Sequence, residues 1–566
     1  MQLLWRRMFF CGLIAIFGCL LEDNSILAQS TIPSNLVPSV PVRPEESPRR
    51  LPPVDQLLTP SSPQIEPNRE IPDSTTTFVV QEFRVIGSTV FSAEELAAAV
   101  KSFINRPISF AELLQARAAI ADLYIRNGYI TSGAFIPPQE TNNGNITIQV
   151  VEGKLEEIQI TGTNRVNPNY IRSRLEVATG APLNRDRLLN ALQLLQLDPL
   201  FSFVSSELKV GSQLGTSILA VKVDEANSFN VRASLDNYAS PSVGQLSRQV
   251  EISDRNLLGL GDRIIATYGN TDGRNQYNLG YTLPLNAYNG TLSFVFSNTN
   301  SNVVESEFKI LDIYSNSTNY ELTFRQPLIQ TPAQEFALGL TASHSDSFTT
   351  LLKLPIPISA GSDDFGKTTL SALRFFQDYT QRSSEDVIAL RSQISLGLGG
   401  VLNSTVNLKS PDSSFVAWRG QLQYIRALAT DTLLIVSGGL QFADRPLPAA
   451  EKFSLGGSQT GRGYRQDVLV GDNGMNVSLE ARFPIVRVPE LQGLLQLVPF
   501  IDLGSVWNSE GSTSTGNNWI LGTGLGLRWQ MGDRLTAKLD YGLPLISIRN
   551  NRQDNSIYFS LSYKLF

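Results

Sequence analysis

From about Ser228 to Phe566, segment after segment alternates apolar and polar residues, and this restricts the possible folds more than any other feature of the chain. In one segment Met475, Val477, Leu479, Ala481 and Phe483 alternate with Asn476, Ser478, Glu480 and Arg482. In another Leu535, Ala537, Leu539 and Tyr541 alternate with Thr536, Lys538 and Asp540. Period two marks a strand with two unlike faces. A sandwich in water would show it as well, with its charged face outward. The number of segments, their length of about ten residues and their aromatic ends point instead to a closed barrel, lipid outside and a wet lumen inside. A mean hydropathy near zero fits such a wall, because only alternate residues meet lipid.

Sixteen crossings can be placed. Those leaving the N-terminal side begin near residues 228, 262, 290, 334, 386, 431, 496 and 534, and the returning ones near 246, 275, 317, 369, 415, 474, 520 and 556. Another alternating stretch, Glu305–Ile313, is assigned to a loop, since an even number of strands is usual and puts both ends of the wall on one side. Far-side loops are long, about 346–368, 398–414, 443–473 and 507–519, whereas near-side turns such as Asn256–Gly261 and Ala427–Thr430 are short.

The N-terminal region reads differently. Arg6 and Arg7, an apolar run from Met8 to Leu21 and a cleavage-like Leu27–Ala28–Gln29 read as a signal peptide over 1–28; a buried first helix and a lipoprotein signal at Cys19 are the alternatives. The cysteines, Cys11 and Cys19, both fall in that segment, which leaves no disulfide, thiol chemistry or multi-histidine metal site for the processed chain. No later run of 18 uninterrupted apolar residues exists, so an exported chain enters a membrane only as a barrel. Eleven prolines between Pro33 and Pro72 make 29–77 an extended linker.

Residues 78–227 read as one small α+β unit written twice, 78–152 and 153–227. Each copy opens on a strand closed by glycine, Phe78–Ile86 before Gly87 and Leu155–Thr161 before Gly162. Helices follow at Ala93–Phe103 and Phe110–Arg126 in the first copy, and at Pro168–Leu175 and Asn184–Leu197 in the second, before two closing strands. The net charge of −6 and the lack of a Lys/Arg stripe argue against a nucleic-acid partner. No nucleotide-binding loop is present, His344 is the one histidine, and no Ser/His/Asp or paired-carboxylate set is placed for catalysis, so neither an enzyme nor a cofactor is expected.

Inside the barrel, Leu521, Leu525, Leu527 and Trp529 face one way and Gly522, Gly524, Gly526 and Arg528 the other. Three glycines in register leave an open inner wall that invites something to pack there. Phe500, Asp502 and Gly504 also point inward. The longest well-bounded loop carries Gly461–Arg462–Gly463–Tyr464, a tight tip that projects one long cationic side chain. Two readings stay open on residues alone. Arg462 reaches into the lumen and pairs with Asp502, or Arg462 sits in solvent while Asp502 pairs with a neighbour such as Lys538.

The order and spacing of these segments resemble the TpsB family of two-partner secretion, transporters of haemolysins and filamentous adhesins within the Omp85 superfamily. Gly461–Arg462–Gly463–Tyr464 is similar to that family's Val-Arg-Gly-Tyr/Phe loop tip, Phe500–Ile501–Asp502–Leu503–Gly504 to its Phe-x-Asp-x-Gly strand, and Asp254–Asp262 to its first periplasmic turn. The resemblance covers residues 78–566. It implies two POTRA domains followed by a 16-stranded transmembrane antiparallel barrel over 228–566, with the sixth extracellular loop inside and Arg462 meeting Asp502. It also implies an outer-membrane location with the POTRA domains and both mature termini in the periplasm. The implied partners are a secreted exoprotein with an N-terminal secretion domain, outer-membrane lipid and the barrel-assembly machinery; the chain is expected to work as a monomer. Three departures stand out. Gly461 replaces valine, Lys564 interrupts the usual apolar phase before Phe566, and the proline-rich segment is a poor plug helix. The expected activity is passage of an unfolded exoprotein through the lumen. An insertase of the same superfamily and a solute channel are the alternatives.

Overall fold

The computed structural model describes residues 77–139, 144–407, 411–509, 517–548 and 556–566, and the backbone of Leu58–Pro60. The expected signal peptide and most of the expected linker lie outside the described residues. Leu58–Pro60 is a strand segment parallel to Ser206–Leu208, where an unpaired linker was expected.

The first α+β unit comprises β1 (Phe78–Val79), β2 (Glu82–Ile86), α1 (Ala93–Val100), β3 (Pro107–Ile108), α2 (Phe110–Arg126), β4 (Gly133–Phe135) and β5 (Asn145–Val151). The single strand expected over Phe78–Ile86 is two pieces, because β1 pairs with β3 while β2 runs parallel to β5. Between them Val80 is fully buried. Ser92/Glu95 and Ser109/Glu112 form capping boxes that satisfy the first amides of α1 and α2. One face of α2, through Leu113, Ala116, Ile120 and Tyr124, covers Ile146 and Ile148 of β5.

The second unit repeats the plan with β6 (Lys154–Thr161), α3 (Pro168–Ala178), α4 (Arg185–Leu197), β7 (Phe201–Val210) and β8 (Thr216–Glu225), and β6 runs parallel to β8. The repeated glycines have one shared cause. Gly87 and Gly162 have φ near +89° and +88°, and a Cβ on either would strike a backbone carbonyl, that of Val150 or Val223, on the parallel neighbour.

Sixteen antiparallel strands then close into a barrel. The first eight are β9 (Phe229–Asp236), β10 (Ser247–Asp254), β11 (Arg263–Asn270), β12 (Arg274–Pro284), β13 (Thr291–Asn302), β14 (Tyr314–Gln330), β15 (Gln334–Leu351) and β16 (Lys367–Arg382). The rest are β17 (Asp386–Gly397), β18 (Val416–Ala429), β19 (Thr432–Ala443), β20 (Asn473–Val488), β21 (Gly493–Trp507), β22 (Trp519–Met531), β23 (Leu535–Pro544) and β24 (Ile557–Lys564). The two-residue piece Leu354–Pro355 only folds back on the end of β15, while β15 pairs directly with β16. The farthest starts from expectation are 314 against 317 and 493 against 496. Glu305–Ile313 is a loop with one 3-10 turn at Lys309–Leu311. The loop expected from 346 begins later, because Asp346 and Phe348 still pair with Thr369 and Lys367. Val250, Ile252, Phe294, Leu322 and Leu479 are exposed on the outer face, as lipid contact requires.

Three residues separate β8 from β9, and further contacts fasten the second unit to the wall. Arg165 donates to Ser228 Oγ at 2.7 Å, Asp254 Oδ2 at 3.1 Å and the Asn256 carbonyl at 2.9 Å. The Asn167 amide donates to the Gly259 carbonyl at 2.8 Å. Gly261 leaves no space for a Cβ beside the Tyr170 ring. Arg174 stacks 3.5 Å above that ring and reaches Asn289 in the next turn at 2.7 Å.

Where the first unit meets the second, Glu152 accepts from the Thr89 amide at 2.7 Å, the Thr89 hydroxyl at 2.5 Å and the Tyr124 hydroxyl at 2.9 Å. Burial works against its charge, but these donors outweigh it and hold the carboxyl below the usual range. Burial pushes Tyr124 up to about 12, so it stays a neutral donor at pH 7. A carboxyl with a depressed pKa contributes stability above its unfolded pKa and loses it as pH falls through the folded one. Glu152→Gln is therefore expected to cost about 1 kcal/mol at pH 7, lowering the first unit's melting midpoint by about 4–8 °C, with a smaller difference below about pH 4. Circular dichroism at 222 nm reads this in the full chain, since α1–α4 carry nearly all the α-helix among the described residues.

Candidate functional site: a loop held inside the barrel

Between β19 and β20 the chain turns back into the lumen. Its base is fixed by charge. Asp472 lies 3.4 Å from Lys452 and accepts the Leu447 amide at 2.9 Å, and Glu451 lies 2.6 Å from Arg374. Phe453–Leu455 pairs with Leu469–Gly471 to form the stalk, followed by one helical turn, Gly457–Thr460, and the tip.

Of the two glycines flanking Arg462, only Gly463 needs to be one for its backbone angle, φ +100°. Gly461 is extended at φ 177°; the constraint there is space, since a Cβ would run into the side chain of fully buried Ile520. The tight tip expected here needs one left-handed backbone angle, at Gly463.

Arg462 is 5% exposed and Asp502 2%. The guanidinium meets the carboxylate through two parallel bonds, Nε to Oδ2 at 2.8 Å and Nη2 to Oδ1 at 2.9 Å. The Arg462 amide adds a third bond to Oδ2 at 3.0 Å. Nη1 reaches Glu480 at 3.0 Å and Nη2 reaches Ser478 at 3.2 Å, while the cation lies 3.4 Å from the Phe500 ring centroid. Asp502 takes Arg462 and Ser478 as partners, not the Lys538 alternative.

Glu480, which the alternation placed inward without a role, is a hub. It bonds Arg482 at 2.8 Å and lies 3.7 Å from Arg528, and Arg528 in turn forms a bidentate pair with Asp540 at 2.6 and 2.9 Å. Tyr464 is fully buried. Its hydroxyl accepts the amides of Leu521 and Ile546 at 3.2 and 3.1 Å. Tyr558 donates to the Tyr464 carbonyl at 2.7 Å and accepts the Gly463 amide at 3.2 Å. Tyr558 was absent from the sequence-based set; its inward parity on β24 was the available signal.

The glycine row serves several neighbours. Gly522 leaves room for the Arg462 carbonyl, but Gly524 makes room for the Tyr541 carbonyl and the Phe500 ring, and Gly526 for the Asp540 carboxylate. Gly504 lies under Leu455 of the stalk. Gly542, outside the expected set, brings β23 against the Gly463 amide.

His344 is not isolated. Its Nδ1 lies 2.9 Å from Ser371 Oγ and its Nε2 3.4 Å from Asp346. Ser371 is 2% exposed, its amide is bonded to Ser404 of the covering loop, and Asp346 also binds Lys367 at 3.3 Å. These are cross-strand contacts beneath a loop.

Charges in this buried pocket hold position more than they add stability, and removing one partner leaves the other buried and unpaired. Arg462→Ala or Asp502→Ala is expected to cost about 3–5 kcal/mol locally. The double variant should cost less than the sum of the two by about 0.5–3 kcal/mol. Protection of the loop tip from protease in assembled protein, with denaturant titration, measures the cycle; additive costs would show that the two side chains do not act together.

Residues 215–529, more than half of the chain, match the family described as haemolysin secretion/activation protein ShlB/FhaC/HecB, and residues 78–153 match the ShlB-type POTRA domain. The chain is similar to the outer membrane transporter CdiB of Dickeya dadantii, 21% identical over 480 residues and 83% of each protein. It is also similar to the hemolysin transporter protein ShlB of Serratia marcescens, 23% identical over 477 residues and 81% of each. The fold matches that of CdiB from Escherichia coli with a TM-score of 0.69 at 20% identity, covering 88% of this chain and 93% of that one. With two POTRA domains ahead of a sixteen-stranded barrel and a loop folded into its lumen, the chain belongs to the ShlB/FhaC/HecB family of haemolysin secretion/activation proteins.

Proposed function

We propose that the protein carries one large, unfolded exoprotein across the outer membrane, taking it from the periplasm at its two POTRA domains and passing it through the barrel lumen. The observation that supports this most directly is the inward loop pinned by Arg462 and Asp502 in a charged lumen, above a mouth to which Arg165 fastens the second POTRA domain. A barrel for small solutes has no use for domains of that kind at its entrance. In this reading both mature termini lie in the periplasm, and the protein works as a monomer after insertion by the barrel-assembly machinery.

Edge strands supply the means of capture. β4 and β2 are the outer strands of the first unit's three-stranded sheet, and β6 is an outer strand of the second. An extended client adds to such an edge through main-chain hydrogen bonds, which tolerate varied client sequence. Both signs of charge line the path, with Arg325 between Glu335 and Asp378 and Arg232 near Glu251, so a mixed polymer meets no single-sign barrier. Folding outside the cell prevents return and gives direction without a nucleotide. The partner is an exported β-helical protein with an N-terminal secretion domain.

One observation favours an insertase as the second reading. β9 and β24 close the barrel over only five residue pairs, Arg232↔Lys564 to Asp236↔Ser560, where β9 and β10 share eight. The Leu565 amide bonds to Val231 at 2.8 Å and Asn237 to Ile557 at 2.9 Å, extending the seam at both ends. In a strain lacking this chain, its exoprotein partner is expected to remain in the periplasm or be degraded, while other outer-membrane barrels assemble at wild-type levels. Complementation with Arg462→Ala or Asp502→Ala should restore barrel protein but leave secretion at least about tenfold down, the scale of a lost buried pair. General loss of barrel assembly in the deletion would favour the insertase, and full secretion by either variant would remove the pair from the mechanism.

A further inference from the structure

The inward loop has a second attachment, on the other side of the lumen. Arg465, three residues beyond Arg462, places Nη1 2.9 Å and Nη2 2.6 Å from the two carboxylate oxygens of Glu305. The side chains are 18% and 20% exposed. Glu305 belongs to the connection between β13 and β14.

That connection stands on a firm base. The Val304 amide bonds to the Ser242 carbonyl at 2.8 Å, Asn302 to Gly273 at 2.6 Å, Gly273 to Val243 at 2.8 Å, and Leu352 to Leu311 at 2.9 Å. The connections β9–β10, β11–β12, β13–β14 and β15–β16 are therefore joined backbone to backbone. Arg462, by contrast, is held by β20 and β21, and Tyr464 by β22. In the closed order β13 and β14 are fifth and sixth, while β20 to β22 are twelfth to fourteenth, about half a circuit away. The loop spans the lumen from one wall to the other.

The two attachments are unequal. Arg462 has two carboxylates, a hydroxyl and an aromatic face, and its loss strands the nearly sealed Asp502. The Arg465–Glu305 pair is the more exposed of the two, at the extracellular side, where a lifted loop returns both charges to water at little cost. We propose that Arg462 is the pivot of this loop and Arg465–Glu305 its latch, so that the exoprotein passes along the side of the lumen lined by β9–β16 when the latch opens. This rests on the secretion reading above and names two positioning residues within it.

Ionic current through the purified full-length protein in a planar lipid bilayer, with potassium chloride as the probe, tests the latch without the exoprotein. Glu305→Gln and Arg465→Gln are each expected to raise the time-averaged conductance about three- to fivefold, the ratio a partly exposed pair sustains. The charge-exchanged double variant E305R/R465E should return conductance toward wild type, which a purely structural fault would not allow. Two long side chains meeting tip to tip leave their backbones too far apart for a direct disulfide. Cysteines at both positions are therefore bridged by a reducible bis-methanethiosulfonate spacer, which should hold the pore closed until reductant is added. Wild-type conductance in both Gln variants, no recovery on charge exchange, or unchanged current across a verified bridge would each overturn the latch. A latch that passes these tests in a protein that secretes nothing would overturn the secretion reading instead.

Discussion

A backbone in hydrocarbon has no water to bond to, so a sheet that crosses a bilayer must satisfy every strand by closing on itself. Closure sets the rest of this structure. It fixes an even, antiparallel wall, divides each strand into a lipid face and a lumen face, and puts the charged residues where they need partners. Glu480, Arg482, Asp502, Arg528 and Asp540 all lie on that inner face, and an arginine from a loop completes the set. Asp502 has no other cation at bonding distance among the described contacts, so without Arg462 its charge would be buried and uncompensated.

The barrel was largely legible because each crossing carries its own local signal. Val477, Leu479 and Phe483 fall on the exposed face whatever lies far away in sequence. The signal fades where the physical cause ends. Beyond the lipid band, Ser343–Thr350 has no need to alternate, and β15 runs on past its expected end. In the first POTRA domain an alternating run became two strands with different partners, a choice made by β3 and β5 and invisible in Phe78–Ile86 itself.

Within the lumen, residue types on strands could be assigned a direction, but not a partner. Arg462 and Asp502 were paired by resemblance, since composition alone left Lys538 as a rival. The partition of Gly522, Gly524 and Gly526 among a loop carbonyl, an aromatic ring and a carboxylate depends on neighbours from β21 and β23. The Arg465–Glu305 pair is harder still to foresee. Its members are 160 residues apart in sequence, both in aperiodic loops. His344 shows the same limit, because its neighbour Ser371 is a cross-strand register partner.

The substitution at the loop tip shows how such a site tolerates change. Where the related motif has valine, this chain has Gly461, which by itself removes apolar contact from a buried tip. Ile520 supplies bulk from the wall instead, packing into the space that a side chain at 461 would need. The wall fills that space here while Gly463, Arg462 and Tyr464 make their contacts. A close-packed interior requires that the space be filled, not that a given element fill it. Direct bonds to Asp502 leave Arg462 no comparable freedom, because no shift of methyl groups restores a pair of parallel charge-assisted bonds. A side chain at position 461 therefore needs a smaller residue at position 520, whereas position 462 is tied to the chemistry of the carboxylate.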